Sequence, residues 1–521
     1  MKTAYRNAPL STFRRRLVPR LRPLPCLLLP CLLLTACNRH DDEPQAEEAR
    51  LQVVGQAPGA TPFVANLTLA LDDVTHLASI TFTVAAKPGT YSKPMRATYT
   101  RAWIERTGAW RAAERRLVLP VFGLYANHAN GITLSAAFDD KSTDDEHVTV
   151  AVPAYAGPAS VYNTPEVRTA RSAAVAPGFD YMLIKNNAYA PAVLDSDGNL
   201  RWIADTLPVS TSTPTYFSGD AFYVGSLNSP TFYRVDFSGA YTTIPLASTR
   251  YTIFHHDLAP GKQGMLAELD AVVAGVPKVE SIVAEITPTG EVLKEWDLGA
   301  IFRATMAAGG DDPSNFVRDG IDWFHMNSAI YVPADDSLLV SSRENFVVKL
   351  DYASGRIKWL LGDATKHWYA DYPSLRALAL RMTAGKAPIG QHTLSITTNG
   401  ELLLFNNGYG SIEQPPNTSP GLTRDFSTPS RYLIDEKNRT AAEVWSYAPQ
   451  PPIYSSVCSS VYETTPGSHV VGYSAAASGT RNILLALASN GQVAFDYEYP
   501  ATPCAAVFIA QPIAFSDLVL K

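Results

Sequence analysis

The stretch Leu194-Asp195-Ser196-Asp197-Gly198-Asn199-Leu200-Arg201-Trp202 contains the turn that decides the fold. An apolar residue and an aspartate lead to a glycine, and a short strand that ends in tryptophan follows. A Gly or Asn at that point accepts the positive φ that a tight hairpin needs, so the stretch predicts a β-hairpin. Five further copies of the pattern lie at 235–239, 286–296, 350–359, 434–445 and 487–495.

The residues around these turns extend each copy into a larger unit. A run of β-forming residues precedes each turn, as in Leu402-Leu403-Leu404, and a second turn such as Asn399-Gly400 often introduces that run. Each copy therefore predicts about four short strands, and helical periodicity is almost absent. We predict an all-β chain with a six-bladed β-propeller around a central channel. A β-sandwich or a solenoid is the alternative, but a sandwich does not explain six copies of one hairpin.

The part of the chain before the repeats predicts a second, smaller domain. Residues 51–152 alternate apolar and polar side chains, as in Ala65-Asn66-Leu67-Thr68-Leu69, which is typical of an antiparallel β-sandwich. Residues 153–177 are rich in Ala, Pro, Ser and Thr and predict a linker. The propeller is expected over 178–521.

The first 36 residues predict a secretion signal rather than a part of the folded protein. Arg-rich sequence is followed by the apolar run 24–34, which is too short to span a bilayer, and by Leu34-Thr35-Ala36-Cys37. This ending resembles the bacterial lipobox, which implies a signal peptide over 1–36, a lipid on Cys37 and a polar tether over 37–50. Asn38 resembles the outer-membrane sorting pattern. We therefore expect a periplasmic protein of a Gram-negative bacterium, held at the outer membrane only by its lipid; a buried N-terminal helix is the alternative.

Charge and cysteine usage narrow the function classes. Seven of the 43 Lys and Arg residues lie within 1–36, and all 49 Asp and Glu residues follow, so the mature chain is acidic. An acidic chain without a basic stripe argues against a nucleic-acid partner. Among the five cysteines, Cys26 and Cys31 leave with the signal peptide and Cys37 takes the lipid. The pair Cys458 and Cys504 predicts one disulfide in an oxidising compartment.

Three of the ten histidines occupy corresponding places in successive repeats. His256 and His392 each lie eight residues before a glycine, Gly264 and Gly400, that introduces the next strand. His325 has the matching place in the repeat between them. Each is expected on the innermost strand, so the three imidazoles should converge at the channel. Since side chains alternate along a strand, only one of His255 and His256 should face it, and the spacing favours His256.

The fourth candidate is Arg343, directly after the strand 338–342. Three histidines suit zinc, but a guanidinium nearby disfavours a metal. Arginine among imidazoles suits a tetrahedral oxyanion, which it holds in a bidentate manner. The sequence contains no HExxH, P-loop or GxSxG motif. We expect neither a metal nor any other cofactor.

These segments resemble the bacterial arylsulfate sulfotransferases, periplasmic enzymes that need no 3'-phosphoadenylyl sulfate. The resemblance rests on Phe254-His255-His256-Asp257-Leu258, Asp322-Trp323-Phe324-His325-Met326-Asn327-Ser328, Ser341-Ser342-Arg343, Gln391-His392-Thr393 and Phe405-Asn406-Asn407-Gly408, with Val121-Phe122-Gly123-Leu124-Tyr125 upstream. It is collinear over nearly all the mature chain. Met326 and Asn406, where Asp is frequent, depart from the family pattern.

The resemblance implies a sulfuryl transfer from an aryl sulfate donor to a phenolic acceptor. His392 matches the nucleophile, which carries the sulfuryl group as sulfohistidine in a ping-pong reaction, and His256, His325 and Arg343 match the residues that hold the sulfuryl oxygens. A neutral imidazole is a competent nucleophile at neutral pH. The family also implies a homodimer, which nothing in the sequence itself indicates.

Further residues beside the motifs are candidates for substrate binding: His255, Phe254, Trp323, Asn327 and Tyr409. The aromatic ones, with Phe324, offer rings that could stack on an aryl group, and their alternative role is packing in the propeller core. The alternative function for the whole chain is a non-catalytic, lipid-anchored propeller that binds an anionic ligand, a metal or a protein partner.

Overall fold

Antiparallel strands dominate the computed structural model, which describes residues 50–71 and 74–521. The expected signal peptide 1–36, Cys37 and nearly all of the tether lie outside these residues, so those assignments stay predictions. Among the described residues, the helices are all too short or too polar to cross a bilayer.

The N-terminal region folds into two sheets and one short helix. Its elements are β1 (Gln52–Pro58), β2 (Val64–Ala70), β3 (Leu77–Val84), β4 (Met95–Thr100), α1 (Arg101–Thr107), β5 (Trp110–Arg111), β6 (Arg116–Phe122), β7 (His128–Phe138) and β8 (Thr143–Val152). One sheet has the order β1-β2-β6-β5, and the other contains β4-β3-β7-β8. Residues of β3 and β7 alternate between buried and partly exposed, as the sequence pattern predicts.

The rest of the chain begins with a 3-10 turn, Ser160–Asn163. Its strands are β9 (Glu166–Thr169), β10 (Tyr181–Lys185), β11 (Ala192–Asp195), β12 (Leu200–Ile203), β13 (Thr215–Phe217), β14 (Phe222–Gly225), β15 (Thr231–Val235), β16 (Tyr241–Pro245), β17 (Tyr251–Pro260), β18 (Met265–Val273), β19 (Val276–Ile286), β20 (Val292–Asp297), β21 (Met326–Val332), β22 (Ser337–Ser342), β23 (Phe346–Asp351), β24 (Ile357–Gly362), β25 (Arg381–Ala384), β26 (His392–Ile396), β27 (Leu402–Asn406), β28 (Thr428–Asp435), β29 (Thr440–Ser446), β30 (Ser460–Thr465), β31 (Ser468–Ala475), β32 (Arg481–Leu487), β33 (Val493–Pro500), β34 (Ile509–Pro512) and β35 (Leu518–Leu520). Its helices are α2 (Leu298–Ala308), α3 (His367–Ala370), α4 (Pro373–Arg376) and α5 (Ala476–Gly479).

Six sheets of four or five strands follow one another along the described part of this region. They are β12-β11-β10-β34, β13 to β16, β17 to β20, β21 to β24, β25-β29-β28-β27-β26 and β30-β31-β32-β33-β9. The strand at one edge of each sheet contacts the corresponding strand of the next: β13 contacts β17, and β17, β21, β26, β30 and β34 continue the series. The all-β propeller fold is thus confirmed. The blade number stays a prediction, with which the six sheets agree.

The tryptophan that closes several copies of the repeat joins neighbouring sheets. Its indole Nε1–H donates to the turn of the following copy in three places: Trp202 to the Phe237 carbonyl (3.0 Å), Trp296 to the Tyr352 carbonyl (3.2 Å) and Trp359 to Glu436 Oε1 (3.0 Å). The turn glycines have positive φ, as at Gly290, where a Cβ would meet the Pro245 carbonyl oxygen at 2.3 Å. In the fifth copy Arg439, one residue after Asn438, adopts the positive φ.

Two short strands belong to domains other than those the predicted boundaries assign them to. β9 lies inside the expected linker and pairs with β33, while β35, at the end of the chain, pairs in parallel with β4 of the N-terminal region. Residues 166–169 therefore belong to the propeller and residues 518–520 to the N-terminal sheet. Neither strand has an alternating hydrophobic pattern long enough to be read from sequence, because β9 has four residues and β35 has three.

Candidate active site

His392 is the first residue of β26, the strand of its sheet that contacts the neighbouring β21 and β30. Its Nδ1 lies 2.8 Å from Asn407 Oδ1 and 3.1 Å from the Gly390 carbonyl oxygen. The Asn407 amide nitrogen donates to the carbonyls of Ser455 and Cys458, so its oxygen must face the imidazole. Both neighbours of Nδ1 accept, which assigns the ring proton to Nδ1 and the lone pair to Nε2.

The surroundings of His392 keep its Nε2 unprotonated. Burial lowers the pKa of the imidazole well below its usual value, and electrostatic interactions with His256, Arg343 and His325 lower it further. The ring is therefore neutral at pH 7. Its Nε2 accepts the backbone N–H of Cys458 at 3.2 Å.

Cys458 is held in place by the predicted disulfide, which the structure shows. It joins Cys504 with a Cα–Cα distance of 6.0 Å. Cys458 and Ser459 have φ values of 56° and 82°, a backbone conformation unusual for residues other than glycine. This local geometry directs the Cys458 N–H at the imidazole.

His256 and His325 form a pair of imidazoles whose ring centroids are 4.8 Å apart. β17 leaves its pairing with β18 between Phe254 and Leu258, and this irregularity contains His256. His325 precedes β21 and has a φ of 48°. Both positions lie where regular strand pairing is interrupted, which turns the rings towards each other rather than along the sheet.

One carboxylate serves both rings. Glu280 Oε2 lies 3.2 Å from His256 Nε2 and 2.9 Å from His325 Nδ1, and Asp322 Oδ2 lies 2.5 Å from the same Nδ1. Burial alone would lower the pKa of His325, but the hydrogen bonds with Asp322 and Glu280 outweigh it and raise this pKa to about 9. His325 is therefore an imidazolium at neutral pH.

Glu280 itself was not found by the sequence analysis. It lies in β19 with a φ of 42°, and its N–H donates to Asp270 Oδ1 at 2.7 Å. Burial would raise the pKa of this carboxyl, but the charge of His256 and the hydrogen bonds with both imidazoles hold it well below the usual value. A single glutamate between Val279 and Ser281 within a strand is a weak signal, and it carries no spacing rule.

Arg343 follows β22 and donates its backbone N–H to the His325 carbonyl at 3.0 Å. Its guanidinium is buried against Glu344, whose Oε1 lies 2.7 Å from Nη2 and 3.2 Å from Nε. The other oxygen of Glu344 accepts the backbone N–H groups of Ile412 and Glu413. Glu344 thus fixes the arginine to the loop over 411–414.

The four predicted residues His256, His325, Arg343 and His392 come together. The ring of Phe508 lies between the two sides of the site, 6.0 Å from the His256 centroid and 5.9 Å from that of His392. Asn327 adds a link, since its Nδ2 donates to the Gln391 carbonyl, directly before His392. Imidazoles and a guanidinium on different strands can donate to a tetrahedral oxyanion from several directions.

The other candidates have different surroundings. His255 is buried without a hydrogen-bond partner, 3.8 Å from carboxylates of Glu268 and Asp270, and burial lowers its pKa to about 3. Phe254 and Trp323 are buried in hydrophobic clusters. This packing fits their alternative role as core residues, and their part in substrate binding stays a prediction. Tyr409 is half-buried, and its role stays a prediction.

Two groups of side chains have the donor types of a metal site: His255, His256 and Glu280, and Glu280, Asp322 and His325. In the second group, His325 Nδ1 is 2.5 and 2.9 Å from the two carboxylate oxygens. These are direct hydrogen-bond distances, and an ion about 2 Å from each ligand would force the groups apart. The arrangement fits ion pairs better than a metal.

The fold and site define a class: β-propellers in which residues on or beside neighbouring inner strands bring imidazoles and a guanidinium together. The model of the arylsulfotransferase (ASST) family matches residues 166–501, and that of the arylsulfotransferase Ig-like domain matches residues 52–153. The chain belongs to the arylsulfotransferase family.

Two curated relatives agree with this family. Arylsulfate sulfotransferase AssT of Escherichia coli O6:H1 is 34% identical over 149 residues, which cover 25% of this chain and 24% of that protein. AssT of Lelliottia amnigena is 22% identical over 433 residues, 63% of this chain and 70% of that protein. The first match thus spans about a quarter of its relative.

Solved structures show only remote similarity. The β-propeller domain of Cps50 (Swd1) from Myceliophteria thermophila is 11% identical, with a TM-score of 0.35 over 65% of this chain and 100% of that chain. BamB from Moraxella catarrhalis is 12% identical, with a TM-score of 0.26 over 72% of this chain and 96% of that chain. Values this low carry no argument about function.

Proposed function

We propose that this protein is an aryl sulfotransferase that moves a sulfuryl group from a phenolic sulfate ester to an acceptor phenol, without 3'-phosphoadenylyl sulfate. The reaction is ping-pong, with a sulfohistidine at His392. The observation that carries the proposal is the state of this imidazole: it is buried and neutral, and Asn407 holds its proton on Nδ1. Membership of the arylsulfotransferase family supports the same conclusion.

In the first half-reaction, Nε2 of His392 gives up the hydrogen bond from the Cys458 N–H and attacks the sulfur of the donor. The N–S bond forms while the bond from sulfur to the aryl oxygen breaks, and the aryl oxygen leaves as a phenolate with the electron pair of that bond. Nδ1 keeps its proton and the new positive charge on the ring is stabilised by Asn407 Oδ1 and the Gly390 carbonyl. In the second half-reaction the acceptor gives its phenol proton to solvent and attacks sulfur as a phenolate, and the imidazole leaves with its lone pair restored.

His256, His325 and Arg343 hold the three sulfuryl oxygens during both steps. Sulfuryl transfer resembles phosphoryl transfer, in which charge is spread over the equatorial oxygens and fixed donors supply most of the stabilisation. His325 supports this role because its raised pKa keeps it a cationic donor. Arg343 supports it because Glu344 fixes the orientation of the guanidinium.

The place of action follows from the sequence as a further proposal. A lipid on Cys37 anchors the protein at the periplasmic face of the outer membrane, and the family implies a homodimer. Cys37→Ala should abolish lipid labelling and sedimentation with membranes while transfer continues. A variant that still carries lipid would contradict the anchor.

The first experiment is incubation of the purified protein with a chromogenic aryl sulfate, with and without a phenol. A ping-pong transferase should release about one equivalent of chromophore without acceptor and turn over continuously with it. A non-catalytic binding propeller should release none in either case.

A further inference from the structure

Every group assigned to the sulfuryl oxygens has a carboxylate directly behind it. Arg343 contacts Glu344 at 2.7 Å, His325 contacts Asp322 at 2.5 Å and Glu280 at 2.9 Å, and His256 contacts Glu280 at 3.2 Å. These carboxylates are largely or completely buried, so water screens them little.

Within this set, the positive charges do not outnumber the negative charges, so the site has no net positive charge that would attract an anion. Even with His256 protonated, three cations face three carboxylates. The nearest further charges add no excess of positive charge: Asp270 accepts the N–H of Glu280, and Lys366, whose Nζ donates to the Glu344 carbonyl, also interacts with the carboxylate of Asp363. Lys185 is neutralised by its ion pair with Asp257 at 2.6 Å. The site offers well-directed donors without an excess of positive charge.

We propose that Glu280, Asp322 and Glu344 make this site selective for a monoanionic sulfuryl group against a dianionic phosphoryl group. The inference rests on the proposed function and names the basis of its substrate selectivity. The two groups are both tetrahedral with three terminal oxygens, so donor geometry alone distinguishes them poorly. An aryl sulfate has one negative charge, whereas the second ionisation of a phosphate monoester near pH 6 adds another. The carboxylates are separated from the bound group only by an imidazole or a guanidinium, so they repel that added charge.

Glu344 and Glu280 give complementary tests. Arginine stays charged whatever its partner, so Glu344→Gln removes a negative charge without removing the cation. Glu280→Gln removes the carboxylate shared by the two imidazoles, while Asp322 still contacts His325. A matched control is Glu436→Gln. Like the other two glutamates, Glu436 pairs with a basic side chain, in this case Lys349, but it contacts none of the site residues described above.

The experiment measures equilibrium binding of phenyl sulfate and phenyl phosphate by calorimetry at pH 7.5. All variants carry His392→Asn, so that no sulfuryl group is transferred during the titration. The parent should bind phenyl sulfate at least about tenfold more tightly than phenyl phosphate. This preference should fall by about tenfold in Glu344→Gln and Glu280→Gln and stay unchanged in Glu436→Gln. At pH 5, where phenyl phosphate is mostly a monoanion, the parent's preference should shrink.

Equal affinity of the parent for both ligands at pH 7.5, or an unchanged preference in both Gln variants, overturns the inference. Two variants on different elements keep the test valid if one of them does not fold, which thermal unfolding reports. The proposed function fails separately: wild-type protein that shows the predicted preference but transfers no sulfuryl group is a selective oxyanion-binding protein. Absence of phenyl sulfate binding in the parent contradicts both.

Discussion

The two sides of the site use the same side chain in opposite protonation states. His392 has a neutral amide, Asn407, against Nδ1, and burial keeps its pKa well below the usual value. His325 has two carboxylates against Nδ1, and its pKa rises to about 9. Both rings are buried, so burial does not make the difference. The partner on Nδ1 decides whether an imidazole is a nucleophile or a cationic donor.

Replacing the Asn407 amide by a carboxylate should make His392 resemble His325, a protonated imidazole. In Asn407→Asp, the new carboxylate stabilises the protonated imidazole and raises the pKa of His392, so a smaller fraction of the ring is neutral at pH 7. We expect transfer at pH 7 to fall about tenfold for each unit by which this pKa exceeds 7, and to recover as pH rises. The measurement is the pH profile of kcat. The control is Asn406→Asp, since Asn406 bonds Ile389 rather than His392; a uniform loss at all pH values would show a structural defect instead.

Replacing the guanidinium of Arg343 should weaken the binding of the sulfuryl oxygens without changing the nucleophile His392. Arg343→Lys keeps the charge but loses the two-pronged contact, so we expect kcat to fall roughly ten- to thirtyfold, less than for complete removal of an oxyanion donor. Steady-state kinetics with a chromogenic donor checks this. The half-reaction should still sulfurylate the protein, only more slowly; wild-type kcat would show that Arg343 does not contact the transferred group.

High pH should affect the cationic side alone. As pH rises through about 9, His325 loses its proton and kcat/KM should fall severalfold, although the charge of an aryl sulfate does not change. Because the folded pKa lies above the unfolded value of about 6.5, the matching contribution to stability is complete below that value and lost as pH rises through the folded pKa. Urea unfolding of wild type and His325→Gln at pH 7 and 10 measures it. A difference between the two proteins that does not shrink at pH 10 contradicts this assignment.

The smallest effect should come from chelation. If Glu280 and Asp322 serve as partners of His325 rather than as metal ligands, EDTA should leave transfer unchanged within error. Activity lost on chelation and restored by Zn²⁺ would show that the cluster holds a metal, and the comparison of the two imidazoles would need a different explanation.

The sequence reveals the repeat and the positions of the histidines because both depend on local rules. A turn needs its Gly or Asn within a few residues, and the tryptophans at 202, 296 and 359 each bond the turn of the next copy. The spacing of His256 and His392 to Gly264 and Gly400 follows from the same regularity.

What the sequence does not reveal depends on contacts between distant segments. Glu280 itself has a left-handed backbone conformation, and its N–H donates to Asp270 on the paired strand. These two features orient its side chain, and no sequence motif encodes them. The strands β9 and β35 join sheets far from them along the chain, and nothing in their own residues indicates which sheet. Asn406, which differs from the family pattern, ends β27 and bonds Ile389, whereas Asn407 lies just past the strand and contacts the nucleophile.

The central claim is that the neutral imidazole of His392 takes the sulfuryl group. The most direct measurement exposes the protein to an aryl sulfate without acceptor, stops the reaction, and maps the added sulfuryl mass by peptide analysis under conditions that preserve N–S bonds. We predict one label on His392, its loss on addition of a phenol, and no label in His392→Asn, which should unfold at close to the wild-type temperature. A label on another residue, or a His392→Asn variant that turns over at the wild-type rate, would contradict the account.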